Sequence, residues 1–145
     1  DMVTVEGATG ELDTNYEGKV AAALERLRGD GDFVCVHIEA PDECTHNGDT
    51  KGKIQAIEWL DSRVVAPLVE FCRTADFDWR MLILSDHTTL TSTRGHDGDP
   101  VPYLIYDSLN SQGSGLSYTE ANGLRGPFVE AGTDIMGKLL EVADQ

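Results

Sequence analysis

Three groups of acidic and imidazole side chains occur along the chain, each directly after an apolar segment or in the loop behind one. They are Asp42 with His46, Asp86 with His87, and His96. Carboxylate oxygen and neutral imidazole nitrogen are suitable ligands for Zn²⁺, Mn²⁺ and related cations. Two such cations held a few ångströms apart can stabilise the attacking and the leaving oxygen of a phosphoryl transfer. The residue types therefore indicate metal-assisted chemistry.

Each group, taken alone, also has a purely structural explanation. Asp42 and His46 can be ordinary loop residues, and Asp86 can cap a helix. Structural ion pairs recruit the same residue types. The joint occurrence of the three groups behind successive strands favours the metal, because loops at the carboxyl ends of strands in an open α/β sheet converge.

The spacing of apolar residues predicts three helices that help to position these groups. They cover residues 15–28, 50–74 and 128–142, in which apolar side chains recur at three- and four-residue steps. Pro67 lies inside the second helix. Because proline removes a backbone donor, we expect a kink there.

Continuous apolar runs predict three strands, at residues 33–38, 81–84 and 101–106. Two prolines enter the third strand and place it near a sheet edge. Residues 107–126 are rich in Ser, Gly and Asn and are predicted as a long loop. Strands that alternate with helices predict an α/β fold with a mostly parallel sheet flanked by helices. Three strands are too few for a complete sheet of this kind.

The balance of charge argues against two classes of partner. Eleven basic and 26 acidic side chains give a formal net charge of -15. This charge disfavours nucleic acid, whose phosphates are bound by clustered Lys and Arg, and it disfavours anionic membrane surfaces. The sequence also holds no apolar run of the ~18 residues that a membrane span needs. An anionic substrate would require local positive charge, which a bound divalent cation supplies.

Cysteine usage and the start of the chain bear on its origin. The three cysteines are too few and too scattered for a disulfide framework and fit reduced thiols in the cytoplasm. The chain begins at Asp1 and shows no signal peptide. We expect residues 1–145 to form one domain fragment of a longer polypeptide.

Three ordered stretches carry a family resemblance. Residues 36–46, VHIEAPDECTH, resemble the EAPDE-x-x-H signature of archaeal-type cofactor-independent phosphoglycerate mutases. Residues 84–89, LSDHTT, resemble the second metal motif of the alkaline phosphatase superfamily, and residues 93–102, TRGHDGDPVP, resemble the third. Residues 1–15 are similar to the segment that returns from the family's inserted domain. The resemblance implies the C-terminal part, residues 16–145, of an alkaline phosphatase-like metal-binding domain.

The resemblance also implies roles for individual residues. Asp42, His46 and His96 match the three ligands of one metal ion, and Asp86 and His87 match two ligands of another. The implied cofactors are two divalent cations, Mn²⁺ or Zn²⁺, with Mg²⁺ as an alternative. In the family, an Asp and a nucleophilic Ser near the N-terminus complete the second site. Neither has a matching motif here, so we expect no catalytic nucleophile in this chain and no turnover by the chain alone.

Three further residues lie within or next to these motifs and have alternative roles. Arg94 can contact a substrate phosphate or carboxylate through its planar guanidinium, or form a surface ion pair. Glu39 can orient a metal ligand, or make a plain hydrogen bond at a strand end. The resemblance gives Cys44 no ligand role, and we expect a bystander thiol.

The leading interpretation is a parent enzyme that interconverts 3-phosphoglycerate and 2-phosphoglycerate through a phosphoserine, a step of glycolysis and gluconeogenesis. A phosphatase, phosphodiesterase or homoserine kinase-like phosphotransferase of the same superfamily is a second interpretation. A non-catalytic metal-binding domain is a third. The expected partners are a small phosphorylated substrate and the missing N-terminal part of the same polypeptide. Missing strands would also leave a sheet edge or face exposed and favour self-association of the fragment.

Overall fold

The structure, a computed structural model, describes residues 1–110 and 112–140. These residues form two compact units. The first unit comprises residues 1–75 and 89–96, and the second comprises residues 76–88 and the described residues from 97 onward.

Helix α1 (Tyr16–Arg28) opens the first unit. The side-chain oxygen of Asn15 accepts a hydrogen bond from the Gly18 N–H at 2.8 Å and so caps the helix. One face of the helix is buried, at Tyr16, Val20 and Ala23. The three- and four-residue steps between these side chains confirm the helix predicted over residues 15–28.

Residues 33–38 do not form the predicted strand. They have no regular secondary structure, and their side chains alternate between exposed and half-buried positions. Val36 and Ile38 pack against the helical core, whereas Phe33 is 51% exposed. In the described residues the segment pairs with no strand. The apolar, β-branched composition favoured a strand, but a hydrogen-bonded neighbour is a tertiary property that the local pattern does not contain.

The predicted helix over residues 50–74 is confirmed as a continuous helical run. It comprises α3 (Thr50–Trp59), a π-helical segment (Leu60–Val65) and α4 (Ala66–Thr74). Because Pro67 has no N–H to donate to the carbonyl four residues earlier, the helix is free to take wider turns just before it. The kink expected at the proline is therefore a π-helical segment that precedes it.

Helices α1 and α3 and the π-helical segment share the core of the first unit. The ring of Tyr16 is 0% exposed, and its centroid lies 5.9 Å from that of Trp59 in an edge-to-face arrangement. The guanidinium of Arg63 lies 4.6 Å from the centre of the Tyr16 ring and 4.9 Å from that of Trp59. Aromatic contacts and cation–π stacking thus hold the π-helical segment against α1.

The described strands pair in an antiparallel manner, so the prediction of a mostly parallel sheet is wrong for this part of the chain. Strand β1 (Arg80–Leu84) pairs with β4 (Tyr103–Asp107), and β2 (Thr88–Leu90) pairs with β3 (Gly95–Asp97). Two of these strands were predicted at their observed places, near residues 81–84 and 101–106. A parallel pair needs a crossover connection. A hairpin, not a helix, connects β1 to β4.

The C-terminal part of the described chain is less helical than predicted. Helix α5 (Glu120–Gly123) interrupts the loop expected over residues 107–126. The helix expected from residue 128 starts as a 3₁₀ turn (Gly132–Asp134) and continues as α6 (Ile135–Leu140). Glycine at position 132 has low helix propensity and explains the late start. Residues 141 and 142 lie outside the described residues.

None of the helices in the described ranges combines the length and the apolar character that a bilayer span requires.

The buried tyrosine gives a stability prediction. We expect Tyr16→Ala to lower the free energy of unfolding by about 3–5 kcal/mol, because a fully buried ring is replaced by a cavity. Denaturant titration followed by circular dichroism measures this change. The matched control is Phe33→Ala, an aromatic side chain of the same unit that is half exposed, for which we expect about 1 kcal/mol or less. Equal losses in both variants would show that the Tyr16 ring is not a core residue.

The ion pair between α1 and the π-helical segment gives a pH prediction. Arg63 Nε and Nη2 donate to the two carboxylate oxygens of Glu17 at 2.6 and 2.7 Å, and these hydrogen bonds lower the pKa of Glu17 from 4.5 to about 2. Because the folded pKa is the lower one, the pair stabilises the fold above the unfolded pKa and loses its effect as pH falls towards 2. We expect Glu17→Gln to destabilise the chain at neutral pH and to have no effect near pH 2.

The control for this prediction is Glu25→Gln, on the exposed side of the same helix, for which we expect little change at either pH. Denaturant midpoints of the three proteins, measured from neutral pH down to about pH 2, test this prediction. A difference between Glu17→Gln and the unmodified chain that grows as the pH falls would contradict the assigned direction.

Candidate metal centre

A short helix, α2 (Ala40–His46), carries two of the candidate ligands. Asp42 and His46 stand four residues apart and therefore on the same face, one turn from each other. Pro41 fits the first turn of this helix. Backbone N–H groups in the first turn have no intrahelical partner, so no hydrogen bond is lost at a proline. Acidic residues in the same turn complement the helix dipole. The sequence pattern did not predict this helix, and the two ligands do not lie in a loop.

The hairpin of β2 and β3 supplies the third candidate ligand, His96. The strands are joined by residues 91–94, and the Arg94 N–H donates to the Leu90 carbonyl at 2.8 Å, which closes the turn. Lys53 of α3 donates from Nζ to the main-chain carbonyl of Thr89 at 2.7 Å. The hairpin is thus tied to the helix that follows α2.

The structure brings Asp42, His46 and His96 into one cluster. His46 Nε2 lies 3.1 Å from His96 Nε2 and 3.3 Å from Asp42 Oδ2, and His96 Nε2 lies 3.4 Å from Asp42 Oδ1. Ligand atoms at about 2.0–2.1 Å from a tetrahedral ion are separated by about 3.3–3.4 Å, by simple geometry. Each imidazole nitrogen thus lies near this spacing from the other nitrogen and from one of the two Asp42 oxygens, and the three ligand atoms lie within 4.8 Å of one another. Two imidazoles with one carboxylate form a suitable donor set for a cation.

Neighbouring polar groups orient two of these side chains. His46 Nδ1 lies 2.8 Å from the main-chain oxygen of Arg94. Because a carbonyl only accepts, this contact assigns the hydrogen to Nδ1 and directs the lone pair of Nε2 towards the other two candidate ligands. The Thr89 hydroxyl donates to Asp42 Oδ1. Hydrogen bonds of this kind fix the orientation of metal ligands, and the one that an imidazole donates from Nδ1 also raises the basicity of its Nε2.

The cluster is open to solvent on one side. The side chains of Asp42, His46 and His96 retain 29%, 35% and 53% of their exposed surface. In contrast, Cys44 is buried, and burial raises the pKa of its thiol, with the Asp49 carboxylate raising it further. Cys44 is not among the three side chains that converge in the cluster, and its bystander role stays a prediction.

Asp86 and His87 lie in the second unit, between β1 and β2. Asp86 Oδ1 accepts a hydrogen bond from the His87 main-chain N–H at 3.1 Å, and its Oδ2 lies 3.4 Å from His87 Nε2. The Asp86 side chain is 76% exposed. The two candidate ligands are therefore adjacent, and their part in a metal site stays a prediction.

The two residues expected in supporting roles contribute through their main chains. The Glu39 carbonyl accepts from the Asp42 N–H at 2.8 Å and starts α2, while its carboxylate lies 3.6 Å from His37 Nε2. The Arg94 carbonyl holds His46. The sequence carried no sign of this carbonyl contact or of the Thr89 hydroxyl contact, because neither depends on a distinctive side-chain pattern. Contact of the Arg94 or Glu39 side chain with a substrate or ligand stays a prediction.

Known proteins with similar sequences include enzymes of one name from two archaea. The chain is 42% identical over 146 residues to the 2,3-bisphosphoglycerate-independent phosphoglycerate mutase of Methanosarcina acetivorans, a match that covers 98% of this chain and 36% of that protein. It is 50% identical over 106 residues to the protein of the same name from Methanosarcina mazei, which covers 73% of this chain and 26% of that protein. The chain thus spans about a third of the length of these relatives or less.

A solved structure has a similar fold. The PH0037 protein of Pyrococcus horikoshii matches with a TM-score of 0.80 at 31% sequence identity, over 97% of this chain and 42% of that one. The named relatives confirm the resemblance to phosphoglycerate mutases that the three motifs indicated. The Metalloenzyme superfamily is matched over residues 1–139, almost the whole length, and the chain belongs to this superfamily.

Proposed function

We propose that Asp42, His46 and His96 hold one divalent cation. The observation that carries the proposal is the convergence of these three side chains from two elements of the first unit: the two Nε2 atoms lie 3.1 Å apart, and each lies 3.3 or 3.4 Å from one of the Asp42 oxygens. Zn²⁺ and Mn²⁺ suit two imidazole nitrogens and one carboxylate oxygen better than Mg²⁺, which favours oxygen ligands. When bound, such a cation neutralises negative charge on a phosphoryl oxygen. The chain's own residues fix the donor atoms and leave one side open.

The parent protein, we propose, is a cofactor-independent phosphoglycerate mutase that interconverts 3-phosphoglycerate and 2-phosphoglycerate. The support is the name shared by the relatives, together with the superfamily match. Asp86 and His87 would hold part of a second cation site. The nucleophilic serine would come from a segment that the longer relatives have and this chain does not match. The expected substrate is a small phosphorylated acid, whose charge a cation would offset against the net charge of -15.

The proposed architecture follows from the same support. An alkaline phosphatase-like domain would contain this chain as its C-terminal portion, with residues 1–15 returning from an inserted domain. The similarity to the PH0037 protein over 97% of this chain supports a common fold. In a complete sheet, strands from outside the chain would pair with the edges of β1 and β4.

Removal of ligands tests the cation site. We expect His46→Ala or His96→Ala to weaken Zn²⁺ binding by at least about 100-fold, because each change removes one of three donor atoms, and loss of groups that merely support ligands already weakens binding by about 10–100-fold. Isothermal titration calorimetry on the metal-free 145-residue chain measures the affinity. The matched controls are His37→Ala, an exposed histidine of the same unit, and Cys44→Ala, and both should bind as the unmodified chain does. If the His46→Ala and His96→Ala chains bound Zn²⁺ as tightly as the control variants do, these residues would not form the cation site.

The candidate ligands in the second unit have their own expected result. Asp86→Ala should leave the binding step of the Asp42 cluster unchanged and remove a second, weaker step in the same titration, since Asp86 and His87 offer only two donor groups. An Asp86→Ala chain that loses the stronger step would contradict this assignment.

The proposed reaction is tested on the intact protein that contains this chain. After removal of metal by a chelator, we expect Mn²⁺ to restore conversion of 3-phosphoglycerate to 2-phosphoglycerate in a coupled assay without bisphosphoglycerate. His96→Ala in the intact protein should lower this rate by at least about 100-fold, since removal of an essential catalytic group has effects of this order or larger. Release of phosphate from other esters, without mutase activity, would assign the metal centre to a phosphatase of the same superfamily.

A further inference from the structure

Arg94 has the most unusual backbone beside the candidate metal centre. Among the residues that the structure describes, it is the one non-glycine residue with a positive φ, 55°. An L-residue reaches this left-handed conformation against a steric penalty that glycine avoids, and such outliers cluster at functional sites. The conformation has a clear geometric consequence here. The Arg94 N–H closes the hairpin turn onto Leu90, while its carbonyl lies 2.8 Å from His46 Nδ1.

The side chain of Arg94 makes a second approach to the end of α2. It lies against Gly48, two residues beyond His46. A Cβ atom added at Gly48 would come within 2.5 Å of Arg94 Cζ and 2.6 Å of Nη2, so a side chain at this position would displace the guanidinium. Gly48 also has a positive φ of 73°, which glycine adopts without strain. One residue of the hairpin thus touches both the His46 ring and the turn that ends α2.

We propose that Arg94 is a positioning residue for the His46 ring. Gly48 has no side chain, and we propose that the Arg94 guanidinium packs against it and is thereby held in place. The left-handed backbone directs the carbonyl at Nδ1, which keeps the hydrogen there and leaves Nε2 available as a ligand. The guanidinium over Gly48 holds the hairpin turn to the end of α2. His96, two residues after Arg94, therefore stays within 3.1 Å of His46. The inference deepens the proposed cation site and rests on it for one of its two readouts.

The first test separates displacement of the guanidinium from backbone strain. Gly48→Ala forces a side chain into a positive φ and also displaces Arg94. Gly7→Ala is the matched control, because Gly7 has a φ of 74° in the same unit and an added Cβ would meet nothing closer than 3.6 Å. In calorimetry of the 145-residue chain with Zn²⁺ alone, we expect Gly48→Ala to bind about 10–100-fold more weakly and Gly7→Ala within about twofold of the unmodified chain. Equal affinities in the two variants would overturn the role of Gly48.

A double-mutant cycle links the two residues. We expect Arg94→Gly alone to weaken Zn²⁺ binding by about tenfold, because the side chain is lost and the backbone is no longer confined. Adding Gly48→Ala to Arg94→Gly should then change the affinity little, since no guanidinium remains to be displaced. The same fold-loss for Gly48→Ala in both backgrounds would show that Gly48 acts without Arg94 and would contradict the proposal.

The second readout needs no metal. Long-range ¹⁵N–¹H correlation spectra in mildly alkaline buffer report which ring nitrogen of His46 carries the hydrogen. We expect the Nδ1–H form in the unmodified chain and in Gly7→Ala, and a mixture of both forms in Arg94→Gly and Gly48→Ala. An Nε2–H form in the unmodified chain would overturn the inference.

This second readout also separates the inference from the proposed function. The Nδ1–H form together with no Zn²⁺ binding would remove the cation site and leave the positioning of His46 supported. Circular dichroism of each variant reports folding. If Gly48→Ala fails to fold, Arg94→Gly and the spectrum of the unmodified chain still decide the outcome.

Discussion

The candidate metal centre depends on the close approach of three donor groups, the side chains of Asp42, His46 and His96. The Nε2 atoms of His46 and His96 lie 3.1 Å apart, and each lies 3.3 or 3.4 Å from one of the two carboxylate oxygens of Asp42. Lone pairs at this spacing repel unless a proton or a cation stands between them. The surrounding structure must therefore hold the donors in place. A cation bound there, as proposed, would turn the same arrangement from unfavourable to favourable.

The helical core and the hairpin share that task. Ala40 at the start of α2 and Ala56 on α3 are fully buried, so the two helices pack closely and fix the face that carries Asp42 and His46. Lys53 on α3 and the carbonyl of Thr89 tie the hairpin to the same helix. The stacking of Tyr16, Trp59 and Arg63 supports this packing from the opposite end of α3. Each candidate ligand thus lies on an element that has its own packing partners.

Sequence reasoning succeeded where the information is local or carried by a motif. Periodicity located α1 and the long helix with its break near Pro67, and two of the three motifs named the residues that form the cluster. It failed where a partner decides the structure. Residues 33–38 have the composition of a strand but no strand beside them in the described part of the chain, and β1 pairs with β4 in the antiparallel sense because a hairpin returns the chain. Helix α2 has only 7 residues, too short for a periodic signal. The Arg94 carbonyl contact arises from a backbone angle that residue type does not specify.

The most direct test of the central claim is anomalous diffraction from crystals of the chain grown with Zn²⁺. The account predicts one strong peak within about 2.0–2.2 Å of Asp42 Oδ, His46 Nε2 and His96 Nε2, with the Arg94 carbonyl still bonded to His46 Nδ1. A peak bound by other residues, while these three side chains hold only water, would contradict it.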